Sequence, residues 1–257
     1  MIPNNPKKSK GLSGNALRTW GYMFLLMGVA GQSIIQNQIL GIGSVSTSEL
    51  LAAMEADSSM MGAATLALVF QAIQTCAAPI FAFLLTEGFL HTSNFKNYLT
   101  RVIVVALISE IPYNLAMGGS LLDLSSRNPM FGLVLCLLMM LLYSRYQDKG
   151  IANTAIKAAI SVAAIIWTKI LGIDDGECLV LLTATFWAFR NKSNYRNMAG
   201  CAAAALCSLF SMYYICAPMG VMVLYMYNGE SGSKNKMVNY AAYPVMLLCI
   251  GLVAIFL

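Results

Sequence analysis

A single histidine, His91, occurs in the 257 residues, and it closes an apolar, aromatic-rich stretch, PIFAFLLTEGFLHT, at 79–92. Glu87 stands four residues earlier, one helical turn away on the same face. A carboxylate so placed orients a neutral imidazole and raises its basicity, which prepares a general base at neutral pH. Lys96 and Arg101 follow, two cations suited to the phosphates of an acyl carrier such as coenzyme A. The same four residues also fit a solvated helix end flanked by positive charge, and spacing alone leaves both readings open.

A second set lies deeper in apolar sequence. Glu110 falls within LISEIPYN, two residues before Pro112, whose ring and missing N–H free nearby carbonyls. An ionisable group inside a membrane helix is costly, so it marks either a functional path or a carboxyl that is paired or protonated. Tyr113 and Asn114 follow it and are carried as candidate binding residues. Gln32 and Gln36 share a helix face, and Gln71, Gln74 and Thr75 cluster further on. Such amides tie helices together in lipid or line a polar substrate path, and Gln71 and Gln74 are carried as binding candidates.

The elements that must position these residues follow from composition. The chain is 58% hydrophobic and 11% charged, with a mean hydropathy of +0.68. That profile predicts an all-α, polytopic integral membrane bundle in contact with the lipid bilayer, forming one domain over 1–257. Residues 1–16 read as a short basic cytoplasmic segment that stays attached, since no small-residue cleavage motif follows it. Nine apolar stretches are expected to cross (8 to 10 within boundary error): 17–40, 61–86, 95–117, 129–144, 152–171, 177–190, 197–211, 213–227 and 237–257. Residues 197–227, with Pro218, fit either one overlong kinked helix or two short ones with a turn near SMYY. Charge favours two. With nine crossings, 14 of the 16 Lys and Arg fall in alternate loops on the N-terminal side, among them Lys7, Lys8, Lys10, Lys149 and Lys234. Only Arg127 and Lys169 fall opposite, which predicts a cytoplasmic N-terminus. The net +5 therefore belongs to loops, and no basic face with interleaved aromatics suggests a nucleic acid. Seven cysteines at no metal-ligand spacing read as small core residues, and one histidine excludes a multi-histidine zinc site.

The run PIFAFLLTEGFLHTSNFKNYLTRVIVVALISEIPYNLAMGG (79–119) resembles the signature region of the TraX family of polytopic bacterial membrane proteins. LGIDDGECLVLL (171–182) and LYMYNGESGSKNKMVNYAAYPVMLL (224–248) resemble later family segments. The resemblance implies a bacterial cytoplasmic (inner) membrane location and acetylation of the N-terminal amine of a conjugative pilin subunit. It also implies kinship with membrane acyltransferases that use cytoplasmic acetyl-CoA. Glu87, Gly88, His91, Thr92, Glu110 and Pro112 match motif positions. Two departures stand out: the family's Asp-His pair in the first span is replaced by LLMGVAGQS (25–33), and the histidine after its Tyr-Pro by Val245 and Met246. The expected function is transfer of an acyl group from acyl-CoA to an amine or hydroxyl of a protein or small molecule, with His91, Glu87 and Glu110 as catalytic candidates. A transporter using Glu110 and the Gln cluster, or a non-catalytic assembly factor, are the alternatives.

Overall fold

The computed structural model describes residues 11–42, 47–118, 121, 126–146, 150–230 and 236–256; Lys7, Lys8, Lys10, Lys149 and Lys234 lie outside them. Among the described residues every regular element is a helix. In chain order they are α1 (Gly14–Ala30), α2 (Thr47–Ala56), α3 (Ser58–Gln74), α4 (Ala77–Leu90), α5 (Phe95–Gly118) and α6 (Met130–Tyr143). Then come α7 (Ile151–Ile170), α8 (Gly176–Ala188), α9 (Ser193–Leu206), α10 (Ala217–Leu224) and α11 (Lys236–Phe256). α1 runs on without a break into a π-helical stretch, Gly31–Ile39.

Local chemistry sets the ends. Ser13 caps α1 by accepting from the Ala16 N–H at 3.4 Å, and Asp57 caps α3 by accepting from the Ser59 N–H at 2.8 Å. The stretch expected as one span at 61–86 is two helices, α3 and α4, interrupted at Thr75–Cys76. Pro79 explains the break: it cannot donate to the carbonyl of Thr75, and its ring crowds that oxygen. Thr75 turns its hydroxyl to the carbonyls of Ala72 (2.7 Å) and Tyr213 (3.2 Å) instead. Residues 197–227 form two helices, as charge predicts, with α9 and α10 joined by 3₁₀ turns at Cys207–Leu209 and Met212–Cys216. Pro218 stands in the first turn of α10, where no N–H is needed. α2 is an addition, since its residues read from sequence as loop.

Four segments are long and apolar enough to cross a membrane: Ser58–Leu90, Phe95–Gly118, Ile151–Ile170 and Asn239–Phe256. Met130–Tyr143, Gly176–Ala188 and Met212–Leu224 are shorter apolar helices. Thr168 is the one buried residue of α7, while Val162, Ile166, Trp167 and Ile170 lie bare on its outside. Water would not tolerate so large an apolar face, whereas lipid would. This is the pattern of a membrane protein.

The core is built where α4, α8, α9 and α10 meet. Phe83 stands edge-on to Phe186 at 5.7 Å among Ile80, Leu182, Tyr214 and Val221. α10 presses on the start of α4 so closely that a Cβ on Gly220 would lie 2.0 Å from the Cys76 carbonyl. α11 packs along α5. The two ends of the bundle are each fastened by a parallel backbone bridge, Leu12 with Tyr227 at one end and Arg127 with Ile173 at the other.

Candidate functional site

α1, α4, α5 and α11 enclose a cavity of about 600 Å³ that opens at the end of the bundle carrying the Leu12 bridge. His91 stands at its mouth, and Arg18, Arg101, Tyr98, Tyr240 and Tyr243 line it. His91 terminates α4 and is exposed. Its Nδ1 lies 2.9 Å from the main-chain carbonyl of Glu87. A carbonyl only accepts, so Nδ1 carries the proton and Nε2 of the neutral ring is left with a free lone pair. The ring is oriented as a base requires, but by the backbone of Glu87 rather than by its carboxylate, whose Oε2 is 3.9 Å from Nδ1.

The Glu87 carboxylate is engaged elsewhere. Its Oε1 accepts from Nη1 of Arg196 on α9 at 3.1 Å, and both side chains are largely buried. The Arg196 guanidinium also lies over the Phe83 ring, 4.5 Å from its centroid. This pair clamps α9 to the end of α4, directly behind His91. Arg101, on α5, lies over Tyr240 at 5.8 Å and leaves its buried Nε without a hydrogen-bond partner. Arg18, which sequence spacing did not single out, supplies the cavity's other cation, with Nη1 2.7 Å from Asn15 Oδ1. Lys96 is exposed on the first turn of α5 and does not line the cavity.

Glu110 does not join His91. It lies about 20 Å along α5 from Phe95, at 1.5 Å per residue. There its Oε2 accepts from Asn128 Nδ2 at 2.5 Å, and its Oε1 is 3.6 Å from Arg127 Nη1. Asn128 also donates to the Ala106 carbonyl at 3.0 Å, which ties it to α5 a turn before Glu110. One turn on, Tyr113 donates to Asp174, which accepts from Ser126 as well at 2.5 Å. Asn114 is buried in α5 with its Nδ2 unpartnered. Pro129 and Met130, next to Asn128 in sequence, form part of the cavity wall, and so does Tyr243, which is within electrostatic reach of Glu110 and Asp174.

A smaller cavity, about 190 Å³, lies at this second end. Gln32, Gln71, Gln74 and Tyr113 line it together with Asp174 and Asp175. Gln71 Nε2 donates to Gln36 Oε1 at 3.0 Å, so one amide pair ties the first two apolar stretches together while Gln32, Gln71 and Gln74 also line the cavity. Sequence reasoning missed Arg196, Asn128 and Asp174 as site residues. The only signal for Asp174 was its place in the turn LGIDDG, and for Arg196 there was none, because its partner is 109 positions away. Among the described residues, no three His, Cys, Asp or Glu side chains converge as a metal site would require.

The fold and its cavities define an all-helical membrane protein with a cation-lined chamber capped by one imidazole. The model of the family described as TraX protein matches residues 51–254, and the chain belongs to that family. Neither a curated protein nor a solved structure gives a significant match.

Proposed function

We propose that this TraX family member is an acyltransferase of the bacterial cytoplasmic membrane, moving an acyl group from acyl-CoA to an amine or hydroxyl. The observation that carries the reading is His91 at the mouth of a cavity whose wall holds Arg18 and the half-buried Arg101, whose Nε is buried and unpartnered. The three segments that resemble the family converge on that same cavity through His91, Leu179 and Tyr240. An unpartnered buried guanidinium N–H is a cost that an anionic ligand would remove, which fits the phosphates of coenzyme A.

In the proposed reaction the acceptor N–H or O–H donates to His91 Nε2, and the imidazole takes that proton as the nucleophile attacks the thioester carbonyl. The new C–N or C–O bond forms, the C–S bond breaks, and the departing thiolate receives the proton back from His91. The Glu87 carbonyl holds Nδ1–H throughout, so the ring cannot turn its lone pair away. Glu87 and Arg196 act through position, fixing the end of α4 that carries the ring. In this reading the N-terminus is cytoplasmic, the nine stretches all cross, and His91 faces the compartment that supplies acyl-CoA.

The test is release of coenzyme A from acetyl-CoA by purified protein with a primary amine acceptor. His91→Asn should lower the rate by about 100-fold or more, because asparagine keeps size and polarity but accepts no proton. Equal rates in the wild type and His91→Asn, with both folded, would take the chemistry away from this cavity.

A further inference from the structure

The smaller cavity takes no part in the proposed acyl transfer, yet it has the makings of a binding site. Its turn is built rather than slack. Gly172 and Asp175 both adopt left-handed backbone angles, φ 62° and 57°. Arg127 N–H donates to the Gly172 carbonyl at 2.8 Å, and Asp174 N–H donates to the Arg127 carbonyl at 3.0 Å. This clasp holds two adjacent carboxylates at one wall.

Asp175 occupies the N-cap position of α8 but does not use its side chain to cap the helix. An aspartate there ordinarily accepts from the second or third helical N–H. The left-handed backbone instead turns its carboxylate to the cavity wall, beside the Tyr214 hydroxyl. Tyr214 is 1% exposed, lines the cavity and makes no hydrogen bond of normal geometry. Gln71 spends its N–H on Gln36 and leaves its buried carbonyl oxygen unpartnered on the same lining. Among the described residues none of those lining the cavity is cationic. Burial pushes the Asp175 carboxyl up to about 6, as expected of an acid with no cation against it.

The two carboxylates and the Gln71 oxygen only accept, and the Tyr214 hydroxyl can accept as well as donate. A primary ammonium carries three donors and a positive charge, which is the complement of a carboxylate, a hydroxyl and an amide oxygen. Met117 and the Tyr213 ring add apolar wall for a short carbon chain. The size suits a small head group rather than a nucleotide. We propose that the cavity between Asp175, Tyr214 and Gln71 binds a primary ammonium group, carried by a small free amine or by an amino-headgroup lipid.

The proposal stands apart from the acyl-transfer reading, because the site lies at the opposite end of the bundle from His91. It is tested on the full chain in detergent by thermal unfolding with ethylammonium chloride against tetramethylammonium chloride at equal ionic strength. Ethylammonium should stabilise saturably, and tetramethylammonium, which has no N–H, should not. Asp175→Asn, which suits the left-handed backbone, and Tyr214→Phe should each weaken the apparent affinity about tenfold or more. His91→Asn should bind as the wild type does. Nanodiscs of phosphatidylethanolamine compared with phosphatidylcholine separate the two sources: stabilisation by the former that Asp175→Asn loses assigns the lipid. The proposal falls if neither ethylammonium nor phosphatidylethanolamine stabilises the wild type more than Asp175→Asn, or if His91→Asn abolishes the effect.

Discussion

Asp175 shows how one residue can trade stability for placement. Its folded carboxyl titrates near 6 against an ordinary 3.8, with burial as the main cause. The fold therefore favours the protonated acid. The resulting stabilisation is complete below pH 3.8 and is lost as pH rises through about 6, an effect of roughly 3 kcal/mol at most. Asp175→Asn removes that titration while accepting the same left-handed backbone. The variant should be more stable than the wild type at pH 8 and nearly equal to it at pH 4, as read by thermal unfolding across that range. A constant difference between the two would mean that Asp175 is not the titrating group. The neighbouring lesson concerns Glu87. The spacing to His91 was legible because it is local, and the structure keeps the two in contact, but through a carbonyl. The carboxylate's true partner, Arg196, comes from another helix, and no periodicity in either segment could announce it. Glu110 was legible as an unusual carboxyl, while its partners Asn128 and Arg127 are known only from where the fold sets them beside α5.

At the scale of helices, the contacts that matter are those without room. Gly220 of α10 meets the Cys76 carbonyl, where a methyl group would sit 2.0 Å away, and backbone cannot yield as a side chain can. Gly220→Ala should therefore cost about 1–3 kcal/mol or separate α10 from α4. Gly62, on α3, has nothing within 4 Å of its hypothetical Cβ. Gly62→Ala should be neutral or stabilising by up to about 1 kcal/mol, since alanine is the better helix former. Thermal unfolding of both variants in detergent checks the contrast, and equal effects would remove the close approach as its cause. All nine apolar stretches are helical in the structure, so hydropathy located the elements well. It did not show the break at Thr75–Cys76, although Pro79 was there to be read, nor α2, whose two glutamates and modest length resemble a loop. The π-helical stretch of residues 31–39, which packs against α3, α11 and α5, left no trace in composition.

For the whole molecule, the Lys and Arg bias supplies the expected topology. The two cations that broke the alternating pattern are both paired at the second end, Arg127 with Glu110 at 3.6 Å and Lys169 with Glu177 at 2.8 Å. Each thus has a local electrostatic reason to stand where the asymmetry disfavours it. If the nine stretches all cross, Ser58→Cys should label with an impermeant thiol reagent added outside intact cells, above the background of the native cysteines. Asn191→Cys and Asn94→Cys should label only after the membrane is opened, because the Lys and Arg bias puts them on the cytoplasmic face. All three positions are exposed. External labelling at Asn191 would overturn the arrangement.

The bridge between Leu12 and Tyr227 has a consequence for biosynthesis. Leu12 N–H donates to the Met226 carbonyl, Asn228 N–H donates to that of Leu12, and Gly14 N–H donates to that of Glu230. The start of the first helix is thus secured by residues translated more than 200 positions later. At about 5–20 residues per second, the ribosome takes on the order of 10–40 s to deliver them. Until then α1 is held by its packing against α3 and α4 once they have been made, and the latch closes only after residue 230 has followed.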